Sequence, residues 1–339
     1  MSHIAPRTAV CIRKIRASLP PEAFQPARER LWHLPLHATI IAIGYSVIRA
    51  RPAAGPVAAI LIGHSLACIA FVAHEISHNA VTRNRPLKRA LELFAFGINM
   101  VPPTMWNRLH NDAHHSHAST VNDPDRPFIE SERSAATNLY AAATMPGRGG
   151  WRTNVLVFAH FVTYLSRHIA AVFYPGDAKP AILTRKPAYR PSDRRAIAME
   201  LLVMTGMQYG VWIATGRSWP NFIWASPVAL CVASGVIVSY VFTNHFLNPI
   251  SHEHDPLSGS TSVRVPRLFD KLHSHFSFHT EHHLFPTLNS DYYPLVSEAL
   301  KEEAPNEYRQ LEFRDAWRQL WQQPRFRSID AKEFSARMK

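Results

Sequence analysis

Four apolar segments, arranged in two closely spaced pairs, constrain the fold of this chain more than any other feature. They cover residues 36–48, 56–73, 197–214 and 222–242, and only a few residues separate the members of each pair. A membrane-spanning helix needs roughly 20 predominantly apolar residues. The second and fourth segments approach or reach this length, whereas the first needs the apolar residues before it and the third contains Glu200. We therefore predict an all-α integral membrane protein with four transmembrane helices in two hairpins. Four buried helices of a soluble all-α protein are the alternative.

The basic residues lie on one side of this predicted topology. Only three of the 37 Lys and Arg residues fall in the two short connections within the hairpins. Because cytoplasmic segments of membrane proteins carry the excess of Lys and Arg, both termini and residues 74–196 are predicted to be cytoplasmic, at the inner membrane if the source is bacterial. The formal net charge of +12 suits anionic lipid headgroups and acidic proteins. Nucleic-acid binding is not predicted, because the basic residues are dispersed and form no stripe with interleaved aromatic residues.

The cysteines and the amino terminus exclude two further classes. Cys11, Cys68 and Cys231 are far apart and form no CxxC pair, so neither a disulfide framework nor a thiolate metal site is predicted. The basic amino terminus has no compact apolar core followed by a cleavage site, and we predict no signal peptide.

Histidine is unusually frequent, with 20 residues, and eight of these form three compact clusters. The clusters are HEISH at residues 74–78, HNDAHH at residues 110–115 and HTEHH at residues 279–283. Residues three or four positions apart share one face of a helix, so each cluster is predicted to direct two or three imidazoles at one point on the cytoplasmic side. Imidazole binds iron, copper, zinc and nickel. Eight imidazoles exceed what one ion accepts but suit two.

The clusters and their flanking residues resemble the membrane fatty-acid desaturase family. The three histidine boxes of that family have the patterns H(D/E)xxH, Hx2-3HH and (H/Q)xxHH, and the resemblance extends to Asn79, to TVNDPD at residues 120–125 and to LFP at residues 284–286. It covers most of the chain. The resemblance implies four transmembrane helices and a cytosolic helical cap, with a di-iron centre between them. Accordingly, we expect a basic cytosolic segment (residues 1–30), a membrane desaturase-like domain (31–290) and a cytosolic helical tail (291–339).

The resemblance also implies the metal ligands. The family uses one further ligand near the end of the fourth span, and His245 is the matching position in this chain. The implied ligands are therefore His74, His78, His110, His114, His115, His245, His279, His282 and His283. Asn244 or Asn248 would make an outer or water-mediated contact. Glu75, Asp112 and Glu281 lie inside the boxes and would orient the imidazole rings, with a solvated helix face as the alternative.

The expected chemistry requires cofactors and a partner. Removing hydrogen from an unactivated methylene group needs a stronger oxidant than any side chain, so a metal must supply it. The predicted cofactors are two iron ions, with O2 as co-substrate and an acyl-lipid, acyl-CoA or acyl-carrier substrate. The chain has no CxxC pair, no GxGxxG loop and no HPGG haem-binding element. We therefore predict that an acidic ferredoxin-type or haem-type electron donor docks on the basic cytosolic face.

The remaining histidines are assigned no role in the centre. His64 lies inside the second apolar segment and is interpreted as a polar contact within the bundle, although an ionisable residue in a span is a functional candidate. Five others lie near the boxes but outside their patterns, and are interpreted as supporting contacts or surface residues: His117, His252, His254, His273 and His275.

Alternatives of other classes remain. HEISH also fits HExxH, the zinc-protease motif in which two histidines bind zinc and the glutamate is the base, but a protease would leave the other two clusters unexplained. A metal transporter would carry its histidines along the spans. Hydroxylase, ketolase or acetylenase activity would use the same boxes, but EHHLFP at residues 281–286 resembles acyl desaturases more than carotenoid-modifying relatives. The predicted function is therefore oxygen-dependent introduction of a double bond into an acyl chain.

Overall fold

A computed structural model of the chain describes residues 5–150, 161–173 and 189–329, so the ends of the predicted terminal segments lie outside the described residues. The secondary structure is mostly helical. The helices are α1 (Pro6–Ser18), α2 (His33–Ala50), α3 (Gly55–Ser77), α4 (Arg85–Gly97), α5 (Pro103–Trp106), α6 (His115–His117), α7 (Ala135–Thr144), α8 (Phe161–Phe173), α9 (Pro191–Ala214), α10 (Trp219–Ile223), α11 (Ala229–His245), α12 (Arg267–Leu272), α13 (His279–Leu284), α14 (Tyr293–Glu303) and α15 (Phe313–Gln322).

In the part of the chain that the structure describes, four very short strands form two separate parallel pairs. The strands are β1 (Phe128–Ile129), β2 (Ser262–Arg264), β3 (Gln310–Glu312) and β4 (Phe326–Arg327). β1 pairs with β4, and β2 pairs with β3. Because β1 follows the second histidine box and β2 precedes the third, these pairs attach the carboxyl-terminal part of the chain to the segments that carry the boxes.

Among the described residues, four helical stretches are long and apolar enough to cross a membrane: Arg28–Ala50, Pro52–Ser77, Pro191–Ala214 and Trp219–His245. They contain the four apolar segments predicted from the sequence. Large apolar side chains on them, such as those of Ile60 and Leu202, are more than half exposed, and exposed apolar surface of this kind marks contact with lipid or another apolar partner. The arrangement in two hairpins and the cytosolic cap stay predictions.

The helix α3 is the central member of this group. It packs against α2, α4 and α11, and most of its residues are buried. Gly63 permits the closest approach to α11, because a Cβ there would lie 2.5 Å from the Ala229 carbonyl oxygen and 2.5 Å from Val232 Cβ. Small residues allow such close helix packing in membranes. Since α3 ends at the first histidine box and α11 ends at His245, their contact brings these two ends together.

Hydrogen bonds explain how α9 accommodates a carboxylate within an apolar segment. Glu200 is buried and accepts hydrogen bonds from the Thr104 backbone N–H (3.0 Å) and hydroxyl (2.5 Å). It also forms an ion pair with Arg89. A buried polar group is costly unless it is hydrogen-bonded, and these partners satisfy Glu200. Because Arg89 belongs to α4 and Thr104 to α5, Glu200 joins both helices to α9.

Candidate metal centre

The first histidine box lies where α3 ends. His74 is in the last turn of the helix, and His78 is the residue immediately after it. Asn79 adopts a left-handed conformation with φ of 62°, and the Ala80 N–H donates to the Glu75 carbonyl oxygen (3.1 Å). A left-handed residue with this hydrogen bond is a common helix terminator. It fixes the end of α3 and therefore the positions of both imidazoles.

The second box lies on a π-helical segment, Asn107–His114. A π turn brings residues five positions apart above one another. His110 and His115 consequently meet, with 3.2 Å between their Nε2 atoms, whereas His114 faces different partners. The sequence predicted that two or three imidazoles of each box point at one place, and in this box two of them meet while the wider turn directs the third elsewhere. Such π-helical segments are frequent at functional sites.

The third box, on α13, is divided in the same way. His279 and His283 lie one turn apart on one face, with 3.2 Å between their Nε2 atoms. His282 lies on another face and approaches His115, with 3.1 Å between the Nε2 atoms. The second and third boxes thus each contribute to two places, which spacing along an ideal helix did not predict.

The nine predicted ligands form two groups, in each of which one ligand atom per residue lies within 4.8 Å of the others. The five-histidine group consists of His74, His78, His110, His115 and His282, and the four-histidine group of His114, His245, His279 and His283. His115 is partly exposed and the other eight are buried. The structure therefore brings every predicted ligand into one of the two groups, and metal binding itself stays a prediction.

The two groups are in direct contact. The Nε2 atoms of His74 and His110 are 2.9 Å apart in the first group, and those of His245 and His279 are 2.7 Å apart in the second. Between the groups, the rings of His115 and His283 stack with 4.5 Å between centroids. Two ions bound in these groups would therefore be neighbours.

Asp123 and Tyr293 contact box histidines, although the sequence did not single them out. Asp123 Oδ1 lies 2.9 Å from His114 Nδ1, and both side chains are buried. The Tyr293 hydroxyl lies 3.2 Å from His282 Nδ1. Metal-binding histidines commonly use their second nitrogen in such a contact, which fixes the ring orientation. The only sequence signal for Asp123 was its place in the TVNDPD segment after the second box. No signal indicated Tyr293.

Charge and burial set the protonation of the site. Burial alone would raise the pKa of Asp123, but His114 lowers it to about 2. Burial alone would lower the pKa of His114, but Asp123 raises it. Six other histidines have a pKa well below the ordinary value, and burial is the main cause, with neighbouring imidazoles as the second. They are His78, His110, His115, His279, His282 and His283. Such imidazoles are neutral, and the neutral ring is the metal-binding form.

The two predicted glutamates, Glu75 and Glu281, are buried within the first and third boxes. Glu281 is buried and accepts hydrogen bonds from the Ser262 and Tyr308 hydroxyls, each at 2.5 Å. Glu75 is buried and lies 3.7 Å from Arg30 Nε. Burial raises the pKa of Glu281, although its hydrogen bonds act in the opposite direction.

The other predicted supporting residues differ in their surroundings. The Asp112 side chain is 56% exposed and pairs with Arg108 at 2.7 Å, so the structure favours the solvated helix face for this carboxylate. Asn244 is fully buried beside His245, and neither side-chain polar atom has a hydrogen-bond partner among the described residues. Asn248 donates to the Asn244 carbonyl oxygen (2.7 Å) and thereby supports the end of α11.

An apolar cavity of about 120 Å³ extends from the spanning helices to both groups of histidines. Its apolar wall comes mainly from α3 and α11 and includes Ala70, Phe71, Leu230, Ala233, Val238 and Phe242. At its other end it reaches His74, His110, His114, His245 and His279. Ligand pockets are typically apolar with a few polar groups that fix orientation, and this one suits a hydrocarbon chain.

The chain is similar to known proteins across this whole region. The sequence profile described as Fatty acid desaturase matches residues 50–314. The chain is 24% identical over 280 residues to the omega-6 fatty acid desaturase, endoplasmic reticulum isozyme 1, of Glycine max, covering 80% of this chain and 71% of that protein. It is 23% identical over 333 residues to the Delta(12)-acyl-lipid-desaturase of Punica granatum, covering 93% and 85%. With a profile match that spans all three histidine boxes and His245, the chain belongs to the fatty acid desaturase family and is an oxidoreductase.

Proposed function

We propose that this chain is an oxygen-dependent membrane acyl desaturase whose nine histidines hold two iron ions. The convergence of the three boxes and His245 into two adjacent histidine groups beside an apolar cavity carries this proposal. The substrate is an acyl chain on a lipid, on CoA or on a carrier. The name of one relative, a Delta(12)-acyl-lipid-desaturase, favours the lipid form.

The donor set fits two iron ions. His78 Nε2 is buried in the five-histidine group and has no hydrogen-bond partner among the described residues. Several other Nε2 atoms face one another at 2.7–3.2 Å, those of His74, His110, His115, His245, His279 and His283, so a bound ion would find several lone pairs directed at one place. Imidazole is a suitable ligand for iron. Iron bound there would supply, with O2, the oxidant that removes hydrogen from the acyl chain.

The chain's own residues position the reactants and the ligands. The apolar wall formed by α3 and α11 holds the acyl chain and keeps water from the reacting carbons. Asp123 and Tyr293 hold His114 and His282 so that Nε2 of each ring faces its group. Carboxylates and hydroxyls that contact the second nitrogen of metal-binding histidines typically raise metal affinity or activity by roughly 10–100-fold.

We also propose that both termini and the metal centre are cytoplasmic, and that an acidic ferredoxin-type or haem-type protein delivers the electrons. The distribution of Lys and Arg, with three of 37 in the two short connections, supports both statements. Strong suppression of turnover by salt is expected, because salt screens the attraction between exposed charges. Salt-insensitive turnover with a supplied donor would contradict the charge-based docking.

Acyl-chain analysis in a host that lacks the activity tests the function. Expression should yield an O2-dependent acyl product that has lost two hydrogens, and His282→Ala should abolish it at an unchanged protein level in the membrane. His252→Ala, a change at an exposed histidine outside the boxes, is the matched control and should retain activity. A product that gains oxygen would instead indicate a hydroxylase, and one zinc per chain in place of about two irons would indicate the protease alternative.

A further inference from the structure

A further set of metal-ligating side chains lies outside the nine histidines. His64 and Cys68 are one turn apart on α3, and His273 follows α12. One ligand atom from each lies within 4.8 Å of the other two, and the Nε2 atoms of His64 and His273 are 3.1 Å apart. Cys68 and His273 are buried, whereas His64 is partly exposed. These three residues are called the His64–Cys68–His273 cluster below.

We propose that the His64–Cys68–His273 cluster binds a transition-metal ion such as Zn²⁺, separately from the nine histidines. Imidazole and thiolate are preferred zinc ligands, and an ion with three protein ligands keeps a fourth position for water. Two nitrogen ligands of a tetrahedral zinc ion lie about 3.4 Å apart, close to the observed 3.1 Å. Because the chain has no CxxC pair, its sequence predicts no thiolate metal site. The fold nevertheless brings two histidines to Cys68, one of them 205 positions later in the chain.

Tyr240 of α11 orients one of these ligands. Its hydroxyl lies 2.9 Å from His273 Nδ1, and both residues are buried. When His273 Nδ1–H donates to this hydroxyl, Nε2 carries the lone pair and faces His64. A hydrogen bond from the second ring nitrogen to an oxygen is the usual arrangement around metal-binding histidines.

Without a metal, the same groups satisfy one another. In that state the Tyr240 hydroxyl donates to His273 Nδ1, His273 Nε2–H donates to His64 Nε2, and His64 Nδ1–H donates to Cys68 Sγ over 3.8 Å. Metal binding replaces the last two hydrogen bonds and reverses the direction of the first. It also releases the thiol proton of Cys68, because only the thiolate is a ligand.

A metal at this position would join two segments that carry the candidate metal centre. His64 lies ten residues before His74 on α3, and His273 lies six residues before His279. The ring of Phe276 fills the intervening space and contacts His74 and His279, with centroid distances of 5.1 and 5.0 Å. The proposed ion therefore holds α3 against the segment that leads into α13, without contacting the nine histidines.

Cobalt(II) is the probe, because thiolate ligation gives a near-ultraviolet charge-transfer band that histidine ligation does not. The full-length chain, purified in detergent with its iron, is titrated with Co²⁺ and should bind one ion with this band. Cys68→Ser should lose the band and weaken cobalt binding at least about tenfold, whereas Cys11→Ser and Cys231→Ser should retain both. A native chain without the band, or a band that persists in Cys68→Ser, would overturn the proposal.

X-ray absorption at the zinc edge of the native chain gives a second measurement that needs no variant. The zinc-loaded, iron-containing protein should show one sulfur ligand and two imidazole ligands, and a spectrum with nitrogen and oxygen ligands alone would overturn the site. Neither the five-histidine nor the four-histidine group contains a cysteine. Failure of the di-iron proposal would therefore leave the sulfur signal intact, and the two failures are distinguishable.

Discussion

His114 Nδ1–H donates to Asp123 Oδ1 over 2.9 Å, and both side chains are almost completely buried. The carboxylate also accepts from the backbone N–H groups of Ser119 and Asp125, each at 2.8 Å. The loop that follows the second histidine box is thus organised around Asp123. In consequence, the orientation of one imidazole in the four-histidine group depends on a residue nine positions away.

Asp123→Asn should impair metal binding more than any change at Asp112. The amide keeps the shape of the side chain but removes the negative charge that holds the His114 tautomer, so we expect a loss of about 10–100-fold in metal affinity or activity. The loss of metal affinity is measured by the iron content per chain and by metal rebinding after chelation. Asp112→Asn is the matched control, because Asp112 is exposed and pairs with Arg108. Equal behaviour of the two variants would contradict a role for Asp123 in orienting His114.

His245→Ala should remove one ion and leave the other. His245 is the member of the four-histidine group that comes from α11, and its Nε2 lies 2.7 Å from that of His279. The five-histidine group keeps all its members in this variant, so iron should fall from about two to about one per chain, with activity lost. His117→Ala is the control, because His117 lies next to the second box and, among the described residues, its Nδ1 hydrogen-bonds only to the Ala113 carbonyl oxygen. Full iron content in His245→Ala would remove it from the ligand set.

His275 should make the stability of the chain depend on pH. Burial alone would lower the pKa of His275, but Asp270 and Asp291, at 2.7 and 3.2 Å from its ring nitrogens, raise it to about 9. A raised pKa stabilises the folded state fully below the ordinary value of 6.5, by about 3 kcal/mol, and this contribution is lost as the pH rises through about 9. The apparent unfolding midpoint of the native chain should exceed that of His275→Gln below pH 6.5, and the difference should shrink above pH 9. His252→Gln, at an exposed position, should show no such trend.

Glu200→Ala should destabilise the chain more than Glu200→Gln. Glutamine still accepts a hydrogen bond from Thr104, whereas alanine leaves the Thr104 N–H without its partner, and a buried unsatisfied donor costs about 1–3 kcal/mol. The Arg89 side chain is 46% exposed, so loss of the ion pair alone contributes little. Apparent unfolding midpoints in detergent compare the two variants. If Gln were as damaging as Ala, the charge rather than the hydrogen bonds would anchor α4 and α5 to α9.

The sequence predicted the spanning helices and the eight histidines of the three boxes, because both signals are local, whereas His245 was predicted only through the family resemblance. Apolar length marks a span regardless of its neighbours, and the spacing within each box is short. The division of the boxes between two groups was not predicted, because it depends on a π-helical turn that shifts His115 relative to His114. The roles of Asp123 and Tyr293, and the approach of His273 to His64 and Cys68, depend on tertiary packing that spacing along the chain does not encode.

Enlarging Ala233 should shorten the acyl chains that this protein accepts. Ala233 is buried in the cavity wall, twelve residues before His245 on α11, which places it about 18 Å along the helix from the four-histidine group. A phenylalanine there would occupy a part of the cavity remote from the metal centre, so long acyl chains should lose turnover while shorter ones retain it. Product profiles across substrates of increasing length measure this, with Ala214→Phe at an exposed position of α9 as the matched control. An unchanged length profile in Ala233→Phe would show that the acyl chain does not follow this cavity.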